Sequence, residues 1–199
     1  MSFVTTEIQD AVAVLTIDRP KALNALNPEV LADLKAAFEA IDQNTVRCVV
    51  LTGAGDKSFV AGADIGSMST MTKAEGEAFG KLGNDVFLMI ESFPIPVIAA
   101  VNGFALGGGN ELAMSCDIRL CSDNAVFGQP EVGLGITPGF GGTQRLARLV
   151  GMGMAKQLVY SALNIKADEA YRIGLVNAVY PQAELMENVL KLAGKIAKN

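Results

Sequence analysis

Short apolar runs alternate with amphipathic stretches along this chain. Residues 11–17 are rich in β-branched side chains and end at Asp-Arg-Pro, a pattern typical of a strand followed by a loop. Asn27 and Pro28 suit the N-cap and the first position of a helix, and apolar residues then recur at helical spacing. The pattern therefore predicts a strand, a loop and an amphipathic helix over 28–42.

Three further apolar runs, at 47–52, 97–101 and 118–121, predict buried strands. They alternate with stretches of helical spacing. Strands that alternate with helices are typical of a parallel sheet with helical crossovers. The predicted fold class is therefore α/β.

The sequence pattern predicts some helices more clearly than others. The pattern predicts a small-residue loop up to Met71 and a helix over 72–92, in which three glycines each cost about 1 kcal/mol relative to alanine unless close packing explains them. After residue 142 the chain is predicted to be mainly helical. The expected helices are 143–150, 153–160, 168–173 and 182–198. We expect one domain over 1–199, with 143–199 as its mainly helical part.

Composition narrows the class of protein. With 199 residues, 50% of them hydrophobic, the chain is long enough to bury a core and to be an enzyme. A net charge of −5 and a sequence pI near 4.8 disfavour nucleic-acid binding, which depends on basic side chains. The N-terminus has no signal-peptide pattern, and no long uncharged apolar stretch occurs. We therefore expect a cytoplasmic protein with no membrane partner.

The chain has no histidine and only three cysteines, without C-x-x-C spacing. This disfavours a zinc site, and we expect no bound metal. Cys48 lies inside an apolar run and is predicted to be a core residue. Any acid–base chemistry must then be done by carboxylates, lysine, tyrosine or cysteine.

Two glutamates follow glycine-rich turns and are the main candidates for that chemistry. Glu111 comes after Gly107–Gly109, where the backbone can approach a ligand closely and free N–H groups of a helix N-terminus can face an oxyanion. Glu131 follows a second such turn. A glutamate that only caps a helix explains Glu111 equally well from this segment alone.

Two more glycine turns follow strands or open helices. In the first, over 59–65, Asp64 is either a functional residue or, as the pattern favours, a turn or cap residue. In the second, over 140–145, Arg145 is expected to be a solvated helix charge, and so is Arg148.

The segments 99–117 and 127–146 resemble the enoyl-CoA hydratase (crotonase) family. Residues 19–26 and 61–65 are similar to the two coenzyme A segments of that family. The resemblance extends from about residue 4 to the end of the chain, and within the family it is greatest to short-chain 3-hydroxyacyl-CoA dehydratases of butyrate metabolism. It implies a crotonase-like spiral of ββα units with a mainly parallel sheet.

The resemblance also assigns positions. Ala63 and Gly108 match the residues whose backbone N–H groups hold the thioester oxygen, and Glu111 and Glu131 match the catalytic pair. The positions that match the coenzyme A and substrate contacts are Lys21, Ala22, Leu23, Leu26, Ala61, Asp64, Ile65 and Gly66. Gly66 replaces a lysine common in relatives, and Asn110 replaces a cysteine.

The implied reaction is the reversible hydration of a short 2-enoyl-CoA, with Glu111 as base and Glu131 as acid, although the two roles could be exchanged. Coenzyme A is then part of the substrate, and no separate cofactor is expected. Two alternatives stay open: an enoyl-CoA double-bond isomerase and a non-catalytic acyl-CoA-binding protein. Relatives form trimers or dimers of trimers through helices beyond residue 199, and we expect this chain to lack those helices.

Overall fold

The computed structural model describes residues 2–199, which form ten strands and eight α-helices. The strands are β1 (Val4–Gln9), β2 (Val12–Ile17), β3 (Cys48–Gly53), β4 (Ser58–Val60), β5 (Val97–Val101), β6 (Phe104–Leu106), β7 (Ile118–Ser122), β8 (Val126–Gly128), β9 (Ile165–Lys166) and β10 (Ala178–Tyr180). The helices are α1 (Pro28–Glu39), α2 (Ile65–Met68), α3 (Lys73–Glu91), α4 (Gly108–Ser115), α5 (Gly142–Val150), α6 (Met152–Ser161), α7 (Ala167–Arg172) and α8 (Leu185–Ile196).

A six-stranded sheet with the order β1-β2-β3-β5-β7-β10 forms the larger layer. The four strands predicted from apolar runs, β2, β3, β5 and β7, are its consecutive central members and pair in parallel. Their side chains are buried on both faces, as expected of parallel strands with helical crossovers. The α/β prediction, with a mainly parallel sheet, is confirmed.

The two faces of this sheet pack against different helices. Ala13 and Leu15 of β2 point into a core shared with α1, α3 and α4, whereas Val12 and Val14 point to the opposite face. There the strands pack on α8. Cys48 is fully buried on the α8 face, which confirms its prediction as a core residue.

A second sheet with the order β4-β6-β8-β9 lies next to the first. Its strands have two or three residues each, too few for a periodic pattern, and the sequence did not predict them. The prediction of an unbroken loop up to Met71 is wrong, because β4 and the short helix α2 lie in that segment. The second sheet carries the turns that lead into α4 and to Glu131.

Helix α3 is continuous in spite of its three glycines. Its N-terminus has a capping box, in which Thr72 and Glu75 satisfy each other's backbone N–H groups. Gly83 is explained by close packing, since a Cβ there would collide with the ring of Phe140. Added Cβ atoms at Gly76 and Gly80 would meet nothing within 4 Å.

Helix boundaries differ from the prediction by a few residues. The N-cap of α1 is Asn27, as predicted, but the helix ends at Glu39 because residues 40–46 turn toward β3. The last helix, α8, begins at Leu185 after a 3₁₀ turn over 182–184. None of the helices between residues 2 and 199 is long and apolar enough to cross a membrane.

Candidate active site

A cavity of about 510 Å³ opens where the second sheet meets helices α2, α3 and α4. Both candidate glutamates, Glu111 and Glu131, line it, and so do Ala63 and Gly108. The other residues that line the cavity are Ala61, Gly62, Ile65, Met68, Ser69, Gly76, Phe79, Gly80, Leu106, Gly107, Pro130, Leu134, Ile136, Thr137, Gly139 and Phe140. The structure thus brings the four chemistry-bearing positions together on one apolar surface.

Glu111 lies in the first turn of α4 and is only 1% exposed. One of its carboxylate oxygens, Oε1, accepts hydrogen bonds from the backbone N–H groups of Phe140 (2.9 Å) and Gly142 (2.7 Å). These donors belong to the loop 139–142, whose last residue is also the first residue of α5. A Cβ at Gly142 would lie 2.8 Å from the same oxygen, so a glycine there allows the close approach. Glu111 is therefore more than a helix cap, because its side chain joins α4 to α5.

Glu131 begins a 3₁₀ turn after Pro130 and is 8% exposed. Its Oε1 accepts a hydrogen bond from the side-chain amide of Gln129 (3.2 Å), whose own oxygen accepts one from Asn110 (2.9 Å). The other oxygen, Oε2, is buried and has no hydrogen-bond partner among residues 2–199. Each glutamate thus has one oxygen held by the protein, but Glu131 is held by a single neutral amide.

Burial shifts the protonation of both carboxyl groups in the same direction. Desolvation raises the pKa of Glu111 to about 7, and repulsion from Glu131 adds to this, although the two backbone N–H groups and Arg145 oppose it. Desolvation also raises the pKa of Glu131 above its ordinary value. Because two buried carboxylates in one cavity repel each other, ionisation of one disfavours ionisation of the other.

The N–H groups of Gly108 and Ala63 are free to meet a ligand. Gly108 is the first residue of α4, whose N–H has no partner within the helix. At Ala63 the flanking Gly62 carbonyl and Asp64 N–H both bond Leu26, so the N–H of Ala63 points to the opposite side of its strand-like segment. Within residues 2–199, neither N–H donates to a protein acceptor.

The three glycines before Glu111 have different reasons to be glycine. Gly107 has φ of +50°, and a Cβ there would lie 2.9 Å from Oε1 of Glu131. A Cβ at Gly109 would collide with the carbonyl of Val60 in β4. Close approach of β4 to α4 is thereby possible, and it brings Ala63 near the start of the helix.

The two segments assigned to coenzyme A are bonded to each other beside the cavity. The N–H of Ala61 donates to the Leu23 carbonyl (3.1 Å), and Arg19 forms an ion pair with Asp64 (2.7 Å). Asp64 also caps α2 through the N–H of Ser67, as the sequence favoured. These contacts fix the relative position of the two segments.

Individual side chains of these segments have different environments. Ala61 and Ile65 line the cavity. Leu26 is fully buried, and Lys21 and Leu23 are exposed. Lys21, Ala22, Leu23, Leu26, Asp64 and Gly66 are not among the lining residues. Near this surface, Met68 lines the cavity, whereas Phe87 is buried in the core and Met71 packs against it.

Sequence reasoning missed the residues that support the glutamates. The N–H donors of Phe140 and Gly142 lie in the glycine turn over 140–145, and nothing in the sequence connects that turn to Glu111. Gln129 had no signal beyond its place two residues before Glu131. The prediction that Arg145 is a solvated charge is wrong, because its guanidinium is buried and bonds Glu91 and the Phe140 carbonyl. Arg148 is exposed, as expected.

Two buried carboxyl groups and two free backbone N–H donors in one apolar cavity define a site suited to acid–base chemistry beside a polarised carbonyl. Among residues 2–199, no group of three or more histidine, cysteine, aspartate or glutamate side chains is arranged to hold a metal ion.

Comparison with known proteins gives the family. The model of the enoyl-CoA hydratase/isomerase family matches residues 7–199, and this chain belongs to that family. The short-chain-enoyl-CoA hydratase of Clostridium acetobutylicum is 63% identical over 197 residues, which cover 98% of this chain and 76% of that protein. The crotonyl-CoA hydratase of Syntrophomonas wolfei is 60% identical over 194 residues, covering 97% of this chain and 75% of that protein.

Solved structures agree with the fold. The crystal structure of an enoyl-CoA hydratase from Bacillus anthracis superposes with a TM-score of 0.97 at 39% identity. That alignment covers 100% of this chain and 78% of the other. The crotonase fold expected from the resemblance is therefore confirmed.

Proposed function

We propose that this protein hydrates short-chain 2-enoyl-CoA thioesters, such as crotonyl-CoA, to 3-hydroxyacyl-CoA, and catalyses the reverse reaction. The observation that carries the proposal is the position of two buried glutamates and two free N–H groups around one cavity. The names of the two similar proteins, a short-chain-enoyl-CoA hydratase and a crotonyl-CoA hydratase, support the same reaction and a hydro-lyase activity.

The N–H groups of Ala63 and Gly108 form the oxyanion hole of the proposed mechanism. When water adds to C3 of a 2-enoyl thioester, negative charge develops on the thioester oxygen. Two fixed donors stabilise that charge without reorganisation, and loss of one such donor costs about 3 kcal/mol. The position of Gly108 at the start of α4 adds the favourable helix dipole.

Glu111 and Glu131 supply the proton transfers. As ionised base, Glu111 takes a proton from the water whose oxygen bonds to C3, and Glu131 in its acid form gives a proton to C2. The hydrogen bonds support this order, because two N–H donors on one oxygen of Glu111 favour its ionised form. Glu131 has an unpartnered buried oxygen that suits a proton. One proton then passes back between the glutamates before the next turnover.

Coenzyme A binding is assigned to the paired segments beside the cavity. Lys21 is exposed there and provides a cation for the phosphates, while Ala22, Leu23 and Leu26 offer backbone and apolar surface. On the second segment, Ala61, Asp64, Ile65 and Gly66 fulfil the same role. The Arg19–Asp64 ion pair and the bond between Ala61 and Leu23 hold the two segments in a fixed relation, which supports a joint binding surface. Because coenzyme A arrives with the substrate, the proposal includes no separate cofactor.

The wider setting follows from the family resemblance. We include a cytoplasmic location, a homotrimer or dimer of trimers, and a role in short-chain fatty-acid or butyrate metabolism. Three reduced cysteines, all buried, support a reducing compartment. Sedimentation of the purified protein tests the assembly.

The decisive experiment follows the loss of crotonyl-CoA absorbance with the wild-type chain and Glu131→Gln. We expect the variant to lower turnover by about 10²- to 10⁴-fold, the usual effect of losing a general acid. The matched control is Glu187→Gln, a substitution of an exposed glutamate in α8, on the sheet face away from the cavity. It should leave turnover unchanged.

Two other outcomes would replace the proposal. Faster consumption of a 3-enoyl-CoA than of crotonyl-CoA would indicate a double-bond isomerase. Tight binding of acetoacetyl-CoA without any hydration would indicate a non-catalytic binding protein. Near-normal hydration by Glu131→Gln would remove Glu131 from the mechanism.

A further inference from the structure

A buried arginine, Arg145, lies outside the cavity, behind the proposed base Glu111. The guanidinium of Arg145, in the first turn of α5, is 9% exposed at its side chain. Its Nε and Nη2 groups both donate to Oε2 of Glu91 at the end of α3 (3.0 and 2.7 Å). The first turn of a helix is the electrostatically unfavourable end for a cation, so its position there calls for a specific reason.

The third contact of this guanidinium suggests the reason. Nη1 donates to the carbonyl of Phe140 (2.8 Å), inside the loop 139–142. Gly141, at φ of +94°, has no side chain, and a Cβ there would collide with Nη1. The loop is thus shaped around the guanidinium, and the same loop presents two N–H groups to Oε1 of Glu111.

Helix α3 holds the loop at a second point. The side-chain amide of Asn84 donates to the carbonyls of Gly139 (2.7 Å) and Gly80 (2.8 Å). Between the two attachments, the ring of Phe140 packs edge-on against Phe79 and Phe87. The path of the loop is therefore set by α3, and the Arg145–Glu91 ion pair is a charged link between the loop and that helix.

We infer that Arg145 is a positioning residue for Glu111: held by Glu91, it fixes the Phe140 carbonyl so that the N–H groups of Phe140 and Gly142 converge on one oxygen of the base. This inference rests on the proposed role of Glu111. It adds a requirement that the family assignment does not contain, namely that catalysis depends on an ion pair outside the cavity.

The electrostatic surroundings of Glu111 agree with this role. The charged groups that face it are Glu131, from the turn after β8, and Arg145, from α5, with Glu91 of α3 behind the guanidinium. Burial and Glu131 raise the pKa of Glu111, whereas Arg145 and the two N–H donors lower it. Loss of the guanidinium therefore removes a positive charge and releases the loop that holds the two N–H donors in place. Both changes raise the pKa of Glu111 further.

The test compares Arg145→Met with Arg145→Lys and with Arg172→Met. Methionine keeps much of the apolar stem and removes the charge and the donors, while lysine keeps the charge but cannot hold Glu91 and Phe140 together. Arg172→Met is the matched control, because Arg172 forms an exposed ion pair with Glu169. The measurements are kcat and KM for crotonyl-CoA from pH 5 to 9.

We expect Arg145→Met to move the acidic limb of the kcat/KM profile up by about one pH unit, the low end of the shift that a nearby opposite charge causes. At neutral pH, kcat should fall about 10- to 100-fold with KM within a few-fold of wild type, as for a poorly oriented base. Arg145→Lys should recover part of kcat, and Arg172→Met should match wild type throughout.

Glu91→Ala gives a second route if Arg145→Met does not fold. Glu91 is 41% exposed, and its removal frees the guanidinium without placing a new group in the core. It should lower kcat by a smaller factor than Arg145→Met does, while the acidic limb should not rise, because the guanidinium charge stays near Glu111 and a carboxylate is removed. A folded Arg145→Met or Glu91→Ala with lowered thermal stability, but with the wild-type pH profile and kcat, would show that Arg145 is only structural.

An NMR titration of the Glu111 carboxyl in wild type and Arg145→Met separates this inference from the proposed function. A higher pKa in the variant supports the positioning role even if the wild-type protein does not hydrate crotonyl-CoA. An unchanged pKa in a protein that does hydrate it overturns the inference and leaves the proposed function intact.

Discussion

Replacing Glu111 with glutamine should make the protein more stable at alkaline pH while it impairs the proposed chemistry. The carboxyl is 1% exposed, and burial raises its pKa from 4.5 to about 7. A raised carboxyl pKa stabilises the folded state fully below pH 4.5, and this contribution is lost as pH rises through about 7. The ionised side chain is therefore a cost to folding at the pH where the base must be ionised.

The size of the effect follows from the same two pKa values. Each pKa unit corresponds to about 1.4 kcal/mol, so the full difference between 4.5 and about 7 amounts to about 3 kcal/mol. Between pH 5 and pH 8 the wild type should lose about 2 to 3 kcal/mol relative to Glu111→Gln. The glutamine oxygen can still accept the N–H groups of Phe140 and Gly142, so these hydrogen bonds are not lost in the comparison.

Urea unfolding at pH 5, 6, 7 and 8, at one protein concentration, measures this difference. Glu187→Gln serves as the control, because an exposed substitution should stay within about 0.5 kcal/mol of wild type at every pH. An advantage of Glu111→Gln that grows with pH supports the reasoning. A variant that is equally less stable than wild type at pH 5 and pH 8 would refute it, since the glutamate would then stabilise the fold in its ionised form.

Three further substitutions test the local structure. Gly109→Ala places a Cβ against the carbonyl of Val60 and should yield little folded protein, as judged by soluble expression and circular dichroism. Gly76→Ala meets nothing within 4 Å and should raise the free energy of unfolding by up to about 1 kcal/mol through helix propensity, measured in urea. Asn24→Ala should lower that free energy by about 2 to 4 kcal/mol, because Asn24 is fully buried at φ of +59° and its side chain makes three hydrogen bonds to backbone groups. A melting temperature within 1–2 °C of wild type would contradict this.

The sequence predicted the elements that have their own periodic or apolar signal. The strands β2, β3, β5 and β7 and the helices α1 and α3 have such signals over four or more residues. The second sheet has none, since β4, β6 and β8 have three residues each and exist because neighbouring strands supply their hydrogen bonds. Elements of this kind are defined by the assembled fold and not by their own sequence.

The candidate site shows the same limit. The two glutamates and their glycine turns were visible as motifs, and the structure places them on one cavity. The sequence did not reveal the groups that hold the two side chains in place, because the hydrogen-bond partners of Glu111 and Glu131 are backbone groups and a neutral amide. Arg145 was misjudged for a related reason: burial of a charged residue depends on a partner, Glu91, that lies 54 positions away in the sequence.

The run Gly107–Gly109 illustrates how misleading local composition is about rigidity. In an unfolded chain three consecutive glycines form the most mobile segment, and such runs serve as flexible linkers in many proteins. In this protein each glycine packs against a different group. The neighbours are Glu131 for Gly107, Phe140 and Leu26 for Gly108, and Val60 for Gly109. A side chain at any of the three positions would come too close to one of these neighbouring groups. The backbone freedom of glycine lets the chain reach this conformation, and the packing then removes that freedom. The segment is flexible in the unfolded chain and has one fixed conformation in the folded protein.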